Sequence, residues 1–206
     1  MVDAALIKEC SDPGLKPAVV EQFIERAGSQ DPLAVTVLSG NRVMLVPKPT
    51  TADEAMNLIG QHVGRNVVRV GVTQYPAGLG VVEAGELKSD LVDTCANLRT
   101  GTALFAKLYR IVTKWYGNPT DKDVLPQVFD DAIIAWQTGY FEGTAVFTAQ
   151  DPGGVKLESP VQTPDLGEPE EKMPLPGNER AGREGSDHPN KAGIRVDLSS
   201  IRAQEP

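Results

Sequence analysis

The sequence predicts a mainly α-helical domain of the α+β class with a small β-hairpin element. Two stretches, one after Asp93 and one over residues 125–138, place apolar residues at helical spacing. Residues 35–46 alternate weakly between apolar and polar around a Ser-Gly-Asn turn, which is typical of a β-hairpin. Every aromatic residue precedes position 150, so a single core is expected in residues 1–150.

The first part of this domain is predicted to hold two helices. One begins after Pro17, and its apolar pattern ends at Gly28. The other runs from Ala52 to about His62. Its start is a capping box, in which the Thr51 hydroxyl accepts a free backbone N–H and Glu54 reaches back to the cap.

The middle of the domain is predicted to contain a short strand over residues 67–72. Residues 73–85 are predicted as a loop, because Tyr75-Pro76-Ala77-Gly78 is rich in turn-forming residues.

The last two helices have the clearest patterns. Asp93 or Thr94 caps the first of them, its apolar face extends to Trp115, and Gly117 ends it. The second runs from about Leu125 to Thr138. Residues 144–147 fit either a short strand or a final turn.

The segment 151–206 has a different composition. It holds eight prolines, seven glycines, eleven acidic residues and seven basic residues, and it has no aromatic residue. Such a segment cannot bury enough apolar surface to offset the entropy of ordering it. The sequence therefore predicts a domain over residues 1–150 and a disordered tail over residues 151–206.

Several classes of function lack their usual signals. The formal net charge is −8 and no basic cluster is present, which argues against a nucleic-acid partner. No segment is apolar enough to span a membrane. His62 and His188 have no partners at metal-ligand spacing, and no phosphate-binding loop occurs. No metal or cofactor is therefore expected.

The compartment remains open at this point. The first ten residues have neither a basic region nor an apolar core of the kind found in secretory signals, which favours the cytoplasm. Cys10 and Cys95 fit two readings. They are either two reduced thiols of a cytosolic protein or one disulfide that closes a long loop.

Four segments, taken in order, suggest a family. They are Gln30-Asp31-Pro32, Val70-Gly71-Val72-Thr73-Gln74, Asp93 to Gly101 (Asp-Thr-Cys-Ala-Asn-Leu-Arg-Thr-Gly) and Ala132 to Gly139 (Ala-Ile-Ile-Ala-Trp-Gln-Thr-Gly). Over residues 6–143 the chain resembles the lytic transglycosylase component of type IV secretion systems, a member of the lysozyme superfamily. That resemblance implies a lysozyme-like fold and a cleft that holds glycan strands of peptidoglycan.

The whole chain more closely resembles the TraH family of conjugal transfer proteins from rhizobial and agrobacterial plasmids. Residues 2–10, 70–78 and 135–143 carry this match. The resemblance implies a role in plasmid conjugation, with other conjugal transfer or mating-pair proteins as partners. It implies no particular chemical activity.

The chain departs from the transglycosylases at the catalytic acid. In that family a Glu lies five residues before the Pro of the (Asp/Asn)-Pro pair and protonates the glycosidic oxygen. The same count from Pro32 reaches Ala27, and Gly28 stands where the family has Ser. Glu25 lies two positions earlier, about 200° away on a helix. It could serve only if the following loop held a two-residue insertion.

The cleft pattern is partly retained. By resemblance, Gln74 and the adjacent Tyr75 would border the glycan, and Trp136 and Gln137 stand where the family has Tyr and Asn. Other interpretations are that Trp136 is a core residue and Gln74 a loop cap. Cys10 and Cys95 match the family's paired cysteines, which implies a disulfide and a periplasmic location.

Three functions fit this combination. The first is a non-catalytic, lysozyme-like component of the mating apparatus that binds a glycan strand or another transfer protein. The second is an active lytic transglycosylase that uses Glu25. The third is a cytoplasmic adaptor or regulator of transfer. The first is preferred, because the general acid is absent while the cleft pattern partly persists.

Overall fold

The computed structural model describes residues 2–40, 42–81 and 83–160. This part of the chain contains five α-helices and two small antiparallel sheets, which confirms the α+β prediction at that level. The helices are α1 (Ala4–Cys10), α2 (Pro17–Ala27), α3 (Ala52–His62), α4 (Thr94–Trp115) and α5 (Leu125–Thr138). The strands are β1 (Val35–Ser39), β2 (Arg42–Met44), β3 (Val67–Val70), β4 (Tyr75–Pro76), β5 (Tyr140–Phe141) and β6 (Thr144–Ala145).

Local signals explain where the four longer helices begin and end. Pro17 opens α2, where its missing N–H costs nothing, and Asp93 caps α4 by accepting from the Ala96 N–H. Gly139 ends α5 with φ +80°, a conformation that suits glycine. The capping box at α3 differs in one detail. The Glu54 carboxylate accepts from both the N–H and the hydroxyl of Thr50, the residue before the cap.

The sequence patterns missed the shortest elements. α1 has only seven residues, too few to show a helical period, although Asp3 caps it. The predicted loop at 73–85 contains β4, which pairs Pro76 with Arg69 of β3. It is followed by 3-10 turns at Ala84–Glu86 and Ser89–Leu91. These elements depend on tertiary partners that no local pattern encodes.

The larger sheet has the strand order β2-β1-β3-β4. The predicted hairpin is present, with Ser39 paired to Arg42 across the turn, and β1 also pairs with β3. One face of the sheet buries its valines against α3 and forms a small apolar cluster. Its buried members are Ala55, Ile59, Val68, Val70, Ala77 and Val92.

The main core lies among the helices. The ring of Phe23 on α2 stacks on Phe105 of α4, with centroids 4.0 Å apart, and meets Trp136 of α5 edge-on at 5.0 Å. Such pairs add to the free energy gained from burying their large apolar surfaces. The core therefore joins the three helices whose apolar faces the sequence indicates.

Trp115 corrects the predicted face of α4. The sequence pattern assigns it to the buried face, but its side chain is 58% exposed. It is the last residue of the helix, and its ring contacts Tyr116 and Phe141 instead of the core. The helical period holds along α4, but the packed surface ends before Trp115.

Contacts with the domain continue past the predicted boundary at Gln150. The Asp151 carboxylate accepts from Arg110 Nε at 2.8 Å, and the Tyr109 hydroxyl donates to the Glu158 carbonyl at 3.1 Å. Leu157 packs against the helical core. Residues 151–160 thus lie along α4, whereas the rest of the predicted disordered tail lies outside the described residues.

Candidate functional site

Most of the predicted site residues meet where three segments converge. We call this place the junction: the end of α2 (Arg26–Ser29), the turn at Gly71–Tyr75, and the end of α5 (Trp136–Gln137). The Ser29 N–H donates to the Val72 carbonyl at 2.9 Å. Trp136 Nε1 donates to the Thr73 carbonyl at 3.2 Å. The Gln137 amide approaches the Arg26 carbonyl at 3.4 Å. Three motifs that are separated in the sequence are therefore in contact in the fold.

The junction contains one buried charged group, Arg69, which the sequence interpretation overlooked. Its Nη2 donates to the carbonyls of Trp136 at 2.8 Å and Gln137 at 2.9 Å, and its Nη1 approaches the Gln74 carbonyl at 3.4 Å. Only 7% of the residue is exposed. The guanidinium thus satisfies carbonyls that the end of α5 leaves without helical partners.

Burial shapes the electrostatics of Arg69. Desolvation lowers the pKa of its guanidinium to about 10, so the group stays charged at neutral pH. The cation lies 5.8 Å from the ring centre of Trp136 and 5.2 Å from that of Phe147. These distances are in the range of cation–π attraction. In the sequence, the signal for a buried arginine was one charged residue within the apolar run Val67-Val68-Arg69-Val70.

The position that would carry the family acid holds Ala27, which is half-buried against the helical core. The next residue also leaves no room for a side chain. A β-carbon at Gly28 would lie 2.3 Å from the Val72 carbonyl oxygen. Because that neighbour is backbone, a Ser here would require the α2 end and the turn to separate. Glu25 is exposed to solvent.

Gln74 has a structural role in the turn. Its backbone adopts φ +52°, and its side-chain amide donates to the Gly71 carbonyl at 3.0 Å. The neighbouring Tyr75 is half-buried, and burial raises the pKa of its hydroxyl. Tyr75 lines a groove of about 480 Å³ together with residues of the following 3-10 turns.

Trp136 is a core residue. It is 1% exposed, and its ring is enclosed by the rings of Phe23, Phe105 and Phe147. No open ring face remains on which a sugar could stack. Gln137 differs because its side chain is exposed. The structure thus brings the predicted cleft residues together. The Gln74 side chain is hydrogen-bonded within its own turn, and the Trp136 ring lies inside the core.

A buried amide explains the spacing of two of the sequence motifs. Asn97 Oδ1 accepts from the Thr73 N–H at 3.0 Å and hydroxyl at 2.8 Å. Its Nδ2 donates to the carbonyls of Val70 at 3.1 Å and Leu91 at 2.9 Å. Thr73 in turn fills the space beside Gly101, where a β-carbon would lie 2.1 Å from its hydroxyl oxygen. The start of α4 is thereby fixed to the junction.

Cys10 and Cys95 are joined by a disulfide between the end of α1 and the first turn of α4. Their Cα atoms are 5.2 Å apart across a sequence separation of 85 residues. The guanidinium of Arg99 lies 3.8 Å from Cys95 Sγ. The bond holds α1 against the helix that also carries Asn97.

A larger groove of about 590 Å³ borders the junction. Its floor is the face of the sheet that carries Arg69, and its opposite wall is the end of α5 with the β5–β6 hairpin. We call it the Arg69 groove. The residues that line it include Leu38, Arg65, Val67, Arg69, Tyr140 and Phe147.

Among the described residues, no three His, Cys, Asp or Glu side chains are grouped so that they could hold a metal ion. None of the described helices is both long and apolar enough to cross a membrane.

These features define a small α+β domain whose central charged group is a buried arginine beside an open groove. The chain belongs to the TraH_2 family, whose sequence pattern matches residues 1–203. This confirms the resemblance to the TraH family and indicates a role related to conjugal transfer.

A curated relative supports the same assignment. The chain is 54% identical over 202 residues to the uncharacterized protein y4dP of Sinorhizobium fredii, and the match covers 98% of each chain. No solved structure shows significant similarity.

Proposed function

We propose that the protein is a non-catalytic accessory component of the mating-pair or type IV secretion apparatus in plasmid conjugation. In this proposal its domain is a degenerate lysozyme-like scaffold that binds a glycan strand or another transfer protein. The observation that carries the proposal is the chemistry of the junction. A methyl group, Ala27, occupies the acid position, and the buried charge of the junction is the guanidinium of Arg69.

The positive charge of Arg69 opposes general acid catalysis at the junction. A carboxyl group that donates a proton at neutral pH needs a raised pKa, which enzymes obtain by burial in apolar surroundings. A nearby cation has the reverse effect, because it favours the ionised carboxylate. The methyl group of Ala27 and the guanidinium of Arg69 therefore both support a non-catalytic role for the junction.

Glu25 is a poor substitute for the missing acid. The Gly28 N–H donates to the Ile24 carbonyl at 3.0 Å, so α2 continues in regular register to its last residue. Positions 25 and 27 then differ by about 200° around the helix axis. Glu25 is exposed, while Ala27 packs on the core.

The disulfide bears on the compartment. Disulfides persist in oxidising compartments and are rare in reducing ones. The Cys10–Cys95 bond therefore supports an exported protein over the cytoplasmic adaptor. A fusion to a reporter that is active only in the periplasm tests this. Activity is expected for the full chain, and an inactive fusion made at normal levels would favour the adaptor.

The absence of catalysis is tested with purified protein and peptidoglycan. We expect no release of anhydro-muropeptides from the wild type or from Glu25→Gln. Release by the wild type that is lost in Glu25→Gln would overturn the proposal in favour of an active transglycosylase. Sedimentation with insoluble peptidoglycan then separates glycan binding, in which the protein pellets, from binding to a protein alone.

The role in transfer is tested in cells. Deletion of the gene is expected to lower the frequency of plasmid transfer. Both the wild-type gene and the Glu25→Gln gene should restore it, because the proposed role needs no acid. Unchanged transfer in the deletion strain would contradict the proposal.

A further inference from the structure

The Arg69 groove differs in charge from the rest of the protein. The whole chain has 28 acidic and 20 basic residues. The described residues that line the groove nevertheless include two arginines, Arg65 and Arg69, and no Asp or Glu. In an acidic protein such a groove is a local site of positive potential, which favours an anionic ligand.

Arg69 offers unused donors at the floor of this groove. A guanidinium has five N–H groups, and the three hydrogen bonds to carbonyls use three of them. The described part of the chain provides no acceptor for the other two. The side chain is 93% buried and held by the end of α5, so a ligand would meet a donor that is already oriented. Arg65, two residues before the start of the same strand, is exposed.

The remaining lining of the groove is largely apolar. Val67 is 52% exposed and Tyr140 is 63% exposed, although both are large apolar side chains in ordered strands. Leu38 is paired with Val67 on the same face of the sheet, and Phe147 lies against the Arg69 guanidinium. Exposed apolar surface beside a cleft marks a binding surface more often than an isolated apolar residue does.

From this combination we propose that the Arg69 groove binds a short peptide segment of a partner protein in which an acidic residue is flanked by apolar residues. The acidic side chain pairs with Arg65 and Arg69, and the apolar neighbours cover Leu38, Val67 and Tyr140. A carboxylate is the anionic side chain of unmodified peptides, and its two oxygens match the bidentate geometry of a guanidinium. A glycan strand fits less well, because it presents many hydroxyls and the lining supplies few amide or carboxylate partners.

This inference rests on the proposed function and names the chemistry of the partner. Its test is a selection of random short peptides displayed on phage against the full chain. The selected peptides should be enriched in Asp or Glu next to apolar residues. Replacing the acid of a selected peptide by its amide should weaken binding about tenfold, as expected for one lost charge-assisted contact. Fluorescence anisotropy of the labelled peptide measures this.

Variants of the protein locate the binding surface. Arg65→Glu and Val67→Asp are both at exposed positions, and each should weaken the selected peptides at least about tenfold. Lys114→Glu makes the same change in net charge as Arg65→Glu, but at an exposed position on α4 outside the groove. It should change affinity less than about twofold. Circular dichroism and urea unfolding check that each variant is folded. Arg69 itself is left intact, because it holds the end of α5.

Each contrary outcome is informative. Selected peptides without acidic residues, or equal binding by Arg65→Glu and the wild type, would overturn the proposal. Soluble glycan strands that bind the wild type and lose affinity in Arg65→Glu would reassign the groove to glycan. If peptide binding fails while deletion of the gene still lowers transfer, the groove assignment is wrong and the role in conjugation stands.

Discussion

The side-chain amide of Asn97 occupies the space that a β-carbon at Gly71 would need. Such a carbon would lie 2.4 Å from Asn97 Nδ2, well inside contact distance. Gly71 also has φ +72°, a left-handed conformation that other residues rarely adopt. Two family motifs that are far apart in the sequence are therefore joined by one steric requirement.

Gly71→Ala should destabilise the domain by about 2–4 kcal/mol, because it combines backbone strain with a collision against Asn97. Urea unfolding followed by circular dichroism measures the change. Gly85→Ala is the matched control, since nothing lies within 4 Å of its β-carbon position. It should stay within about 0.5 kcal/mol of the wild type. Equal stability of the two variants would contradict the packing at Gly71.

Asn97→Ala should cost about 3 kcal/mol or more. It leaves buried groups of Thr73, Val70 and Leu91 without their hydrogen-bond partner. Asn57→Ala, at an exposed position on α3, serves as the control and should change stability by less than about 0.5 kcal/mol. A loss at Asn97 no larger than that at Asn57 would show that the amide network contributes little.

Arg69→Lys should destabilise the domain by about 1–3 kcal/mol although the charge is kept. The planar guanidinium donates hydrogen bonds to two carbonyls and lies against the rings of Trp136 and Phe147. A lysine ammonium is not planar and cannot make both sets of contacts. Thermal unfolding and the near-ultraviolet circular dichroism of Trp136 report the change. Arg65→Lys, at an exposed position two residues before the same strand, should be close to neutral. Tolerance of lysine at position 69 would show that charge alone suffices.

Removal of the disulfide should cost about 4 kcal/mol in the double variant Cys10→Ala/Cys95→Ala, since the bond closes a loop of roughly 85 residues. Urea unfolding of the variant and of the oxidised wild type measures the difference. Thiol labelling of the denatured, unreduced protein is the direct check. Both cysteines should resist alkylation until a reductant is added, and labelling without reductant would contradict the bond.

The ion pair between Asp151 and Arg110 predicts a weak dependence of stability on pH. The Arg110 guanidinium lowers the pKa of the Asp151 carboxyl to about 2 in the folded protein. The unfolded value is about 3.9. The contribution is therefore present above about pH 4 and is lost as pH falls through about 2.

The pair is partly exposed, with 40% of the Asp151 side chain accessible, so its contribution should stay below about 1 kcal/mol. Asp151→Asn should lose this component at neutral pH and show a flatter stability profile between about pH 4 and pH 2. Urea midpoints measured across that range test it. Asp121→Asn, at an exposed loop position, is the control and should keep the wild-type profile. An unchanged profile in Asp151→Asn would mean that residues 151–160 do not dock through this pair.

Much of the fold could be predicted from local signals. The bounds of α3 and α5 follow from their caps and from apolar residues at helical spacing. The hairpin follows from its turn residues. α1 and β4 could not be found in this way, because seven and two residues are too few for a period to appear.

The segments of the site could be identified from the sequence, but the contacts between them could not. The motifs include the end of α2, the turn before Tyr75 and the end of α5, which meet in the fold. They did not reveal Arg69, because one charged residue in an apolar strand has no local pattern. The sequence also could not decide whether Trp136 lines a cleft or fills the core. Its burial depends on Phe23 and Phe105, which come from other helices.

By itself the sequence determined the approximate boundaries of the four longer helices, the absence of an acid at Ala27 and the family of the protein. These are properties of single positions or of short runs, and neighbouring residues alone specify them. Only the tertiary structure decided that Asn97 fills the space beside Gly71, where no β-carbon fits, and that Arg69 lies at the centre of the junction. Both depend on close contacts between distant segments, and such contacts exist only once the helices and the sheet have packed.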